Sequence, residues 1–258
     1  DTRNMFHDLK EHGKDLNRIS EGMALAVEER MKSEHFKTEL ITNVSHDLKT
    51  PLTSIINYVD LLQKEEIDNP KAQEYLEVLA RQSARLKKLT EDLVEASKAS
   101  TGNIQMDLTR TDMTEFINQI MGEYRERFRT VHLESVVTVP EERVYILADG
   151  RSLWRVFDNL LNNICKYSQP NTRVFIAMTA SNDKVMISLK NTSRDLLNIP
   201  AEDLLERFVR ADSSRNSEGS GLGLSIARSL TELQKGTLEL FVDGDLFKVI
   251  LTFDRINN

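Results

Sequence analysis

His46, Asp47 and Thr50 place an imidazole, a carboxylate and a hydroxyl within about one turn of a predicted helix. Apolar residues recur there at steps of three or four, at Phe36, Leu40, Val44, Leu48, Leu52, Ile55, Val59 and Leu62. His46 lies two residues from both Val44 and Leu48, a rotation of about 200°, so it projects away from this apolar face. Thr50 lies one turn further along the face of His46. An exposed imidazole with these neighbours can act as a nucleophile, although a solvated histidine on a charged helix face gives the same pattern.

The composition excludes several classes of protein. The length of 258 residues predicts one large or two ordinary domains. A net charge of −7, with no basic stripe interleaved with aromatics, argues against nucleic-acid binding. The single cysteine, Cys165, excludes an intramolecular disulfide and fits a reducing compartment. We expect Cys165 to pack beside Ile164 as a small hydrophobic residue, and no Cys/His cluster has zinc spacing.

No stretch of the sequence reads as a membrane span. No segment approaches 18 consecutive apolar residues, and the N-terminus lacks a signal-peptide pattern. The chain begins with Asp rather than Met, which fits a fragment whose membrane segment lies upstream.

The first hundred residues are predicted to be almost wholly helical. A short heptad pattern at Leu9, Leu16 and Met23 fits a parallel coiled coil or a single amphipathic surface helix. Pro51 is expected to kink the helix that carries His46. After a turn at residues 64–70 a second helix repeats apolar residues at spacings of seven, at Ala72, Leu79, Leu86 and Leu93. Two antiparallel helices cannot bury both apolar stripes alone, so we expect a dimeric four-helix bundle.

A small, polar segment at residues 97–103 is predicted to be a linker, and strands and helices mix after it. The predicted strands are Ile104–Leu108, His132–Val139, Arg143–Leu147, Arg173–Thr179, Lys184–Lys190, Thr237–Val242 and Leu246–Phe253. The predicted helices are Met113–Arg129, Gly150–Tyr167, Glu202–Phe208 and Leu222–Gln234. This order predicts an α+β sandwich, with helices on one side of a mainly antiparallel sheet.

Two segments of the second half carry groups suited to phosphate. Asn159, Asn163 and Lys166 share one helix face, where amide oxygens can bind a hard cation and an ammonium can meet phosphate. An ordinary solvated helix face has the same composition. The glycine-rich run 218–227 opens a helix, whose N-terminus favours anions. This run follows no strand of a βαβ unit, which disfavours a dinucleotide-binding loop. It also lacks the Lys-Ser/Thr end of a Walker-type phosphate-binding loop.

Residues 192–220 form a long segment with little predicted secondary structure. Its arginines are Arg194, Arg207, Arg210 and Arg215. Long irregular segments inside compact domains are usually functional or disordered. A lid over a phosphorylated ligand would account for the arginines.

Taken together, these segments resemble the sensor histidine kinases of two-component systems over nearly the whole chain. The H-box matches Ser45–Leu52, the N-box Asn159–Ser168, the F-box region Leu205–Asp212 and the second glycine box Gly219–Leu224. The resemblance implies a multi-domain protein, in which an all-α helical hairpin that forms a dimeric four-helix bundle is followed by an α+β two-layer sandwich that binds ATP. The implied domains are a HAMP-like signalling helix at 1–33, a phosphotransfer hairpin at 34–100 and an ATP-binding domain at 101–258.

The resemblance also implies roles for individual residues. His46 would attack the γ-phosphate of ATP, Asp47 would hold its other ring nitrogen, and Thr50 would orient water for dephosphorylating a response regulator. Asn163 would ligate Mg²⁺. The implied ATP-binding set is Asn159, Asn163, Lys166, Tyr167, Asn191, Phe208, Arg210, Arg215, Gly219, Gly221, Leu222, Gly223 and Leu224. Within it, Asn159 and Lys166 would contact phosphates, Tyr167 would pack on the adenine, and the glycines would form the phosphate cradle and lid hinge.

The implied setting follows from the same resemblance. Family members are usually homodimers that act on the receiver domain of a response regulator. The chain would be the cytoplasmic portion of a bacterial inner or plasma membrane protein, anchored through an upstream segment.

The first glycine box departs from the family pattern. Asn191 occupies the position of an adenine-reading aspartate, and both glycines of the box are missing from residues 191–195. An amide oxygen can still accept a hydrogen bond from adenine, but losing the charge would weaken binding by roughly 1 kcal/mol. Two hypotheses about the function therefore remain. The chain is either an ATP-dependent histidine kinase that also acts as a phosphatase, or a dimeric signalling scaffold that has lost ATP binding. A gyrase-like ATPase would leave the H-box unexplained.

Overall fold

The computed structural model describes residues 48–65, 67, 69–100, 104–197, 200–205 and 221–256. Two long helices open the described chain: α1 covers residues 48–64 and continues through Pro51, and α2 is Pro70–Ser100. Lys49 and Leu52 of α1 line the same cavity as Thr90 and Val94 of α2. The helices therefore run antiparallel, and the predicted helical hairpin is confirmed.

Only one side of each hairpin helix is buried within the protomer. On α2, Leu76, Ser83, Thr90 and Ser97 are buried at spacings of seven. Leu79 and Leu86 of the predicted apolar stripe remain exposed, each by 49%. On α1, Leu52 and Val59 are buried and Ile56 is half-buried, while five large apolar side chains are exposed, at Leu48, Ile55, Tyr58, Leu61 and Leu62. The hairpin thus leaves a continuous apolar surface uncovered.

The second half is a two-layer sandwich, as predicted. Its strands are β1 (Thr109–Asp112), β2 (Leu133–Thr138), β3 (Tyr145–Ala148), β4 (Thr172–Ala180), β5 (Lys184–Thr192), β6 (Thr237–Asp243) and β7 (Leu246–Asp254). Its helices are α3 (Met113–Thr130), α4 (Gly150–Tyr167), α5 (Ala201–Leu204) and α6 (Gly223–Leu233). Five strands form one sheet in the order β2-β4-β5-β7-β6, and β1 pairs with β3 in a separate ribbon. All pairings are antiparallel except β2 with β4, so the large sheet is mixed.

One face of the large sheet packs against the helices. On β5 the buried residues alternate, at Val185, Ile187, Leu189 and Asn191, as expected for a strand with one face in the core. Large side chains from α3, α4 and β7 fill this core, including Tyr124, Phe128, Phe157 and Phe253. Asn191 therefore continues a row of core-facing apolar residues.

Aspartate caps fix where two of the helices begin. The Asp112 side chain accepts hydrogen bonds from the amides of Thr114 and Glu115 at the start of α3. The Asp149 side chain accepts from Ser152 at the start of α4 and from the Asp107 amide. Burial opposes the charged form of Asp149, but these amide hydrogen bonds outweigh it and hold its carboxyl pKa below the ordinary value.

The predicted strand Ile104–Leu108 is wrong. These residues are irregular, and the strand begins at Thr109, which pairs with Ala148. Ile104 and Met106 pack against the core without joining a ladder, and the Asp107 amide donates to a side chain. Alternating apolar residues here signalled burial rather than strand pairing.

Candidate functional site

The polar face of α4 lies beside the start of α6. The opposite face of α4 is anchored in the core by Leu153, Val156, Phe157, Leu160, Leu161 and Ile164. Asn159 is only 9% exposed, and its side chain lies against Gly223, where an added Cβ would sit 3.5 Å from Asn159 Oδ1. Asn163, one turn further on, is half-buried, and Lys166 is exposed. Of the three predicted residues of this face, Asn159 is the one that the structure places against the start of α6.

This helix start offers hydrogen-bond donors. The residue preceding α6 is Leu222, whose apolar side chain makes no capping hydrogen bond, and Ser225 Oγ donates back to the Leu222 carbonyl at 2.9 Å. The Nδ2 of Asn159 is buried without a hydrogen-bond partner among the described residues. The positive end of a helix beside a buried amide N–H suits an anion, because both favour negative charge.

The glycines of this turn differ in their conformational demands. Gly221 has a φ of +69°, which an L side chain adopts only with strain. Gly223 is not in that region, and the space beside it would hold a Cβ at ordinary contact distance. Leu222 is buried in the core, so only its backbone can face a ligand, while Leu224 is half-buried.

A second group of polar atoms lies where α4 ends beside β5. Ser168 follows α4 and forms an isolated bridge with Ser193, just beyond the end of β5. The Gln169 amide donates to the Thr192 carbonyl at 2.9 Å. Ser168 is 6% exposed and Asn191 is 4% exposed. Within the described chain, Ser168 Oγ and Asn191 Oδ1 have no hydrogen-bond partner. Buried polar atoms are nearly always paired, so these two oxygens call for a partner from outside the described chain, either water or a ligand.

Several predicted site residues cannot be compared with the structure. His46, Asp47, Phe208, Arg210, Arg215 and Gly219 lie outside the described residues. Thr50 is exposed on α1, and its carbonyl accepts a hydrogen bond from Ser54 Oγ at 3.3 Å. Tyr167 is half-buried at the end of α4, and its carbonyl accepts from the Arg194 amide at 2.8 Å.

Sequence reasoning missed an ionic contact between the hairpin and the sandwich. Arg155 of α4 donates from Nη2 to Asp92 Oδ1 at 2.6 Å and from Nε to Glu95 Oε2 at 2.8 Å, both on α2. Burial disfavours the charged guanidinium, but the two carboxylates more than offset this and raise the pKa of Arg155. The available signal was a basic residue one turn before Asn159 and an acidic stretch on α2.

Two other titratable groups of this region serve structure. Burial raises the pKa of the Cys165 thiol to about 11, so it stays protonated and packs against the core. Tyr124 Oη donates to Asp158 Oδ1 at 2.5 Å, and burial followed by this contact raises the tyrosine pKa.

The described residues hold neither a metal cluster nor a membrane span. No three His, Cys, Asp or Glu side chains among them come together as metal ligands. Their helices are all too short or too polar to cross a bilayer.

Two family models match the chain in sequence. The His Kinase A (phospho-acceptor) domain covers residues 36–102, and the histidine kinase-, DNA gyrase B- and HSP90-like ATPase covers residues 148–255. The first range includes His46, and the second includes α4, β5 and α6.

Curated relatives align with most of the chain. The sensor protein VanS of Enterococcus faecium is 31% identical, covering 83% of this chain and 56% of VanS. The sensor protein kinase WalK of Staphylococcus saprophyticus is 30% identical over 82% of this chain and 35% of WalK. The probable sensor protein PcoS of Escherichia coli is 32% identical over 84% of this chain and 47% of PcoS. The chain thus spans between about a third and just over half of these relatives.

Solved structures share the fold at lower identity. Full-length ShkA in complex with AMPPNP aligns with a TM-score of 0.73 and 20% identity, over 85% of this chain and 46% of ShkA. The histidine kinase ThkA in complex with the response regulator TrrA aligns with a TM-score of 0.59 and 20% identity, over 84% of this chain and 61% of that chain. A helical phospho-acceptor region followed by the ATPase sandwich, together with these relatives, shows that the chain belongs to the sensor histidine kinases.

Proposed function

We propose that the chain is the catalytic core of an ATP-dependent protein-histidine kinase that phosphorylates His46 and passes the phosphoryl group to an aspartate of a response regulator. The observation that carries this proposal is that the buried Asn159 amide, which has no partner among the described residues, lies against the start of α6. The phospho-acceptor match around His46 and the ATPase match around α4 and α6 support it.

The donors at the start of α6 fit the phosphates of a nucleotide. Asn159 Nδ2 and the first amides of α6 would donate to phosphate oxygens, and the exposed Lys166 ammonium would add positive charge. At the C-terminal end of α4, Asn191 Oδ1 and Ser168 Oγ would contact the edge of the base, with Tyr167 beside it. Each unmatched polar atom of the site then gains a partner.

Magnesium fits this donor set through Asn163. Its half-buried amide offers a hard oxygen ligand, and no acidic cluster competes for the ion in the described part of the chain. Magnesium commonly takes most of its ligands from substrate phosphates and water, so one amide suffices here. When bound, the ion would neutralise charge on the phosphates.

The proposed reaction is a phosphoryl transfer in two steps. A lone pair on one ring nitrogen of His46 forms a bond to the γ-phosphorus, while the bond to the bridging oxygen breaks and ADP leaves with that electron pair. Asp47 accepts a hydrogen bond from the other ring nitrogen, which favours the nucleophilic tautomer. A carboxylate oxygen of the regulator then attacks the phosphorus and displaces neutral His46. The ThkA–TrrA complex supports such a partner here.

Incubation with γ-labelled ATP and Mg²⁺ tests the first step. The wild-type chain should gain acid-labile label, and His46→Gln should gain none because the nucleophile is gone. His35→Gln, which changes the same residue type elsewhere, should label normally. Acid-labile label on His46→Gln would show that another residue accepts the phosphoryl group.

We further propose that the chain dephosphorylates its regulator through Thr50. The side chain is exposed on α1, and it follows His46 by four residues, a spacing that puts two side chains on one face of a continuous helix. Thr50→Ala should slow hydrolysis of a phosphorylated receiver domain yet keep His46 phosphorylation. Thr53→Ala removes a hydroxyl that bonds the Lys49 carbonyl at 2.8 Å and should leave both activities intact. Equal loss of both activities in Thr50→Ala would contradict the role given to Thr50.

The proposed organisation follows the matched ranges. We place the phosphotransfer hairpin at 34–100 and the ATP-binding domain at 101–258, with a HAMP-like signalling helix at 1–33. The uncovered apolar surface of the hairpin supports a homodimer. An anchor in the membrane upstream of this chain is proposed from the family resemblance.

A nucleotide-free signalling scaffold is the second candidate. Asn191 at the position of an adenine-reading acid, with both glycines missing from residues 191–195, favours it. Titration calorimetry with Mg-ATP separates the two candidates, because only the kinase binds the nucleotide and gives a heat of binding.

A further inference from the structure

The base end of the proposed nucleotide site holds two buried, uncharged polar groups. Ser168 and Asn191 lie on neighbouring segments joined by the Ser168–Ser193 bridge. Both side chains are more than nine-tenths buried, and one oxygen of each has no partner in the described structure. Two buried oxygens on adjacent segments thus lack partners within the described chain.

No charged side chain nearby along β5 is directed to this place. Lys190 lies on the opposite face of the strand, with its ammonium 5.4 Å from the ring centre of Phe175. Arg194 is exposed and paired with Asp195 at 3.5 Å. Among the described residues of these two segments, the buried polar side chains are therefore the Asn191 amide and the serine hydroxyls.

An amide and a hydroxyl do not distinguish a donor from an acceptor. A carboxylate at Asn191 would only accept, so it would suit the 6-amino group of adenine and repel the 6-oxo group of guanine. A primary amide can turn by 180° about its last bond and present either its oxygen or its NH₂. The Ser168 hydroxyl can rotate likewise. Either purine edge can thus be satisfied without leaving a buried polar group unpaired.

We propose that this site does not select adenine over guanine, so that GTP binds it about as well as ATP. This inference rests on the proposed nucleotide-binding function. Strong selection between hydrogen-bonding analogues, about 10⁴-fold or more, requires that the wrong ligand leave buried groups unpaired. Neither purine does so here, and we expect the two dissociation constants to differ by less than about tenfold.

Equilibrium competition against a fluorescent ATP analogue, with the full chain and Mg²⁺, measures both constants. Asn191→Asp should bind ATP at least as well and GTP at least about tenfold more weakly, because the carboxylate repels the 6-oxo group. Asn118→Asp, the same change on the exposed face of α3, should leave the ratio of the two dissociation constants unchanged. A wild-type preference for ATP of more than about tenfold overturns the inference, even if Asn191→Asp fails to fold.

The outcomes also separate this inference from the function beneath it. Binding of ATP with rejection of GTP contradicts the inference alone and leaves the kinase proposal standing. Binding of neither nucleotide contradicts both. If a folded Asn191→Asp chain kept the wild-type ratio of ATP and GTP dissociation constants, Asn191 would not be the residue that contacts the base.

Discussion

At the scale of single residues, the proposed site depends on atoms that the protein itself leaves unmatched. Asn159 Nδ2, Ser168 Oγ and Asn191 Oδ1 are all buried and lack partners among the described residues. An unpaired buried polar group costs about 1–3 kcal/mol. Three such groups on α4, at its end and on β5 would be a loss unless water or a ligand pairs with them.

Alanine substitutions at the two glycines at the start of α6 should have different effects on stability and on ATP binding. Gly221→Ala should lower the free energy of unfolding by about 1 kcal/mol, because its φ of +69° strains an L residue. Gly223→Ala should leave stability nearly unchanged, since its Cβ would meet Asn159 at 3.5 Å. It should nonetheless weaken ATP binding, because the methyl group would occupy space beside the proposed phosphate. Denaturant unfolding and ATP titration measure the two effects, and normal ATP binding by Gly223→Ala would place the phosphates elsewhere.

At the scale of elements, sequence pattern predicted the helices better than their contacts. The spacing of Asn159 and Asn163 was enough to place them on one face of α4, because helix geometry is local. The contact of Arg155 with Asp92 spans 63 residues, so no local period could indicate it. The apolar residues Ile104 and Met106 are half-buried against the core, but strand pairing also depends on a partner strand, which a local pattern cannot identify.

The Arg155 contact predicts that α4 holds part of α2 in place. Arg155→Ala would leave Asp92 buried at 5% exposure without its guanidinium partner, which should cost about 3 kcal/mol. Hydrogen exchange in the second half of α2 should become faster, and the melting temperature should fall. Arg155→Lys should recover only part of this, because an ammonium cannot form the two-pronged contact.

Arg151→Ala provides the matched control for this contact. Arg151 is exposed one turn earlier on α4, so its loss should change neither exchange nor melting. Equal effects of the two alanine variants would mean that α2 is held by apolar packing alone.

At the scale of the molecule, the two halves differ in how completely they are covered. The sandwich encloses its own core between sheet and helices, whereas the hairpin exposes large side chains along both helices. An apolar surface repeated on two copies can close around a two-fold axis, which buries each patch against the other. The dimer would then supply the half of the hairpin core that one chain lacks.

The dimer prediction is tested on the two leucines of α2 that point away from the protomer. Leu79→Glu combined with Leu86→Glu should convert a dimer into monomers in sedimentation velocity. Burial of a leucine contributes about 2 kcal/mol, so the dissociation constant should rise more than about a hundredfold. Leu147→Glu changes a leucine of β3 that is similarly exposed, at 51%, and should leave the dimer intact. A double variant that remained dimeric would mean that the chains associate through a different surface.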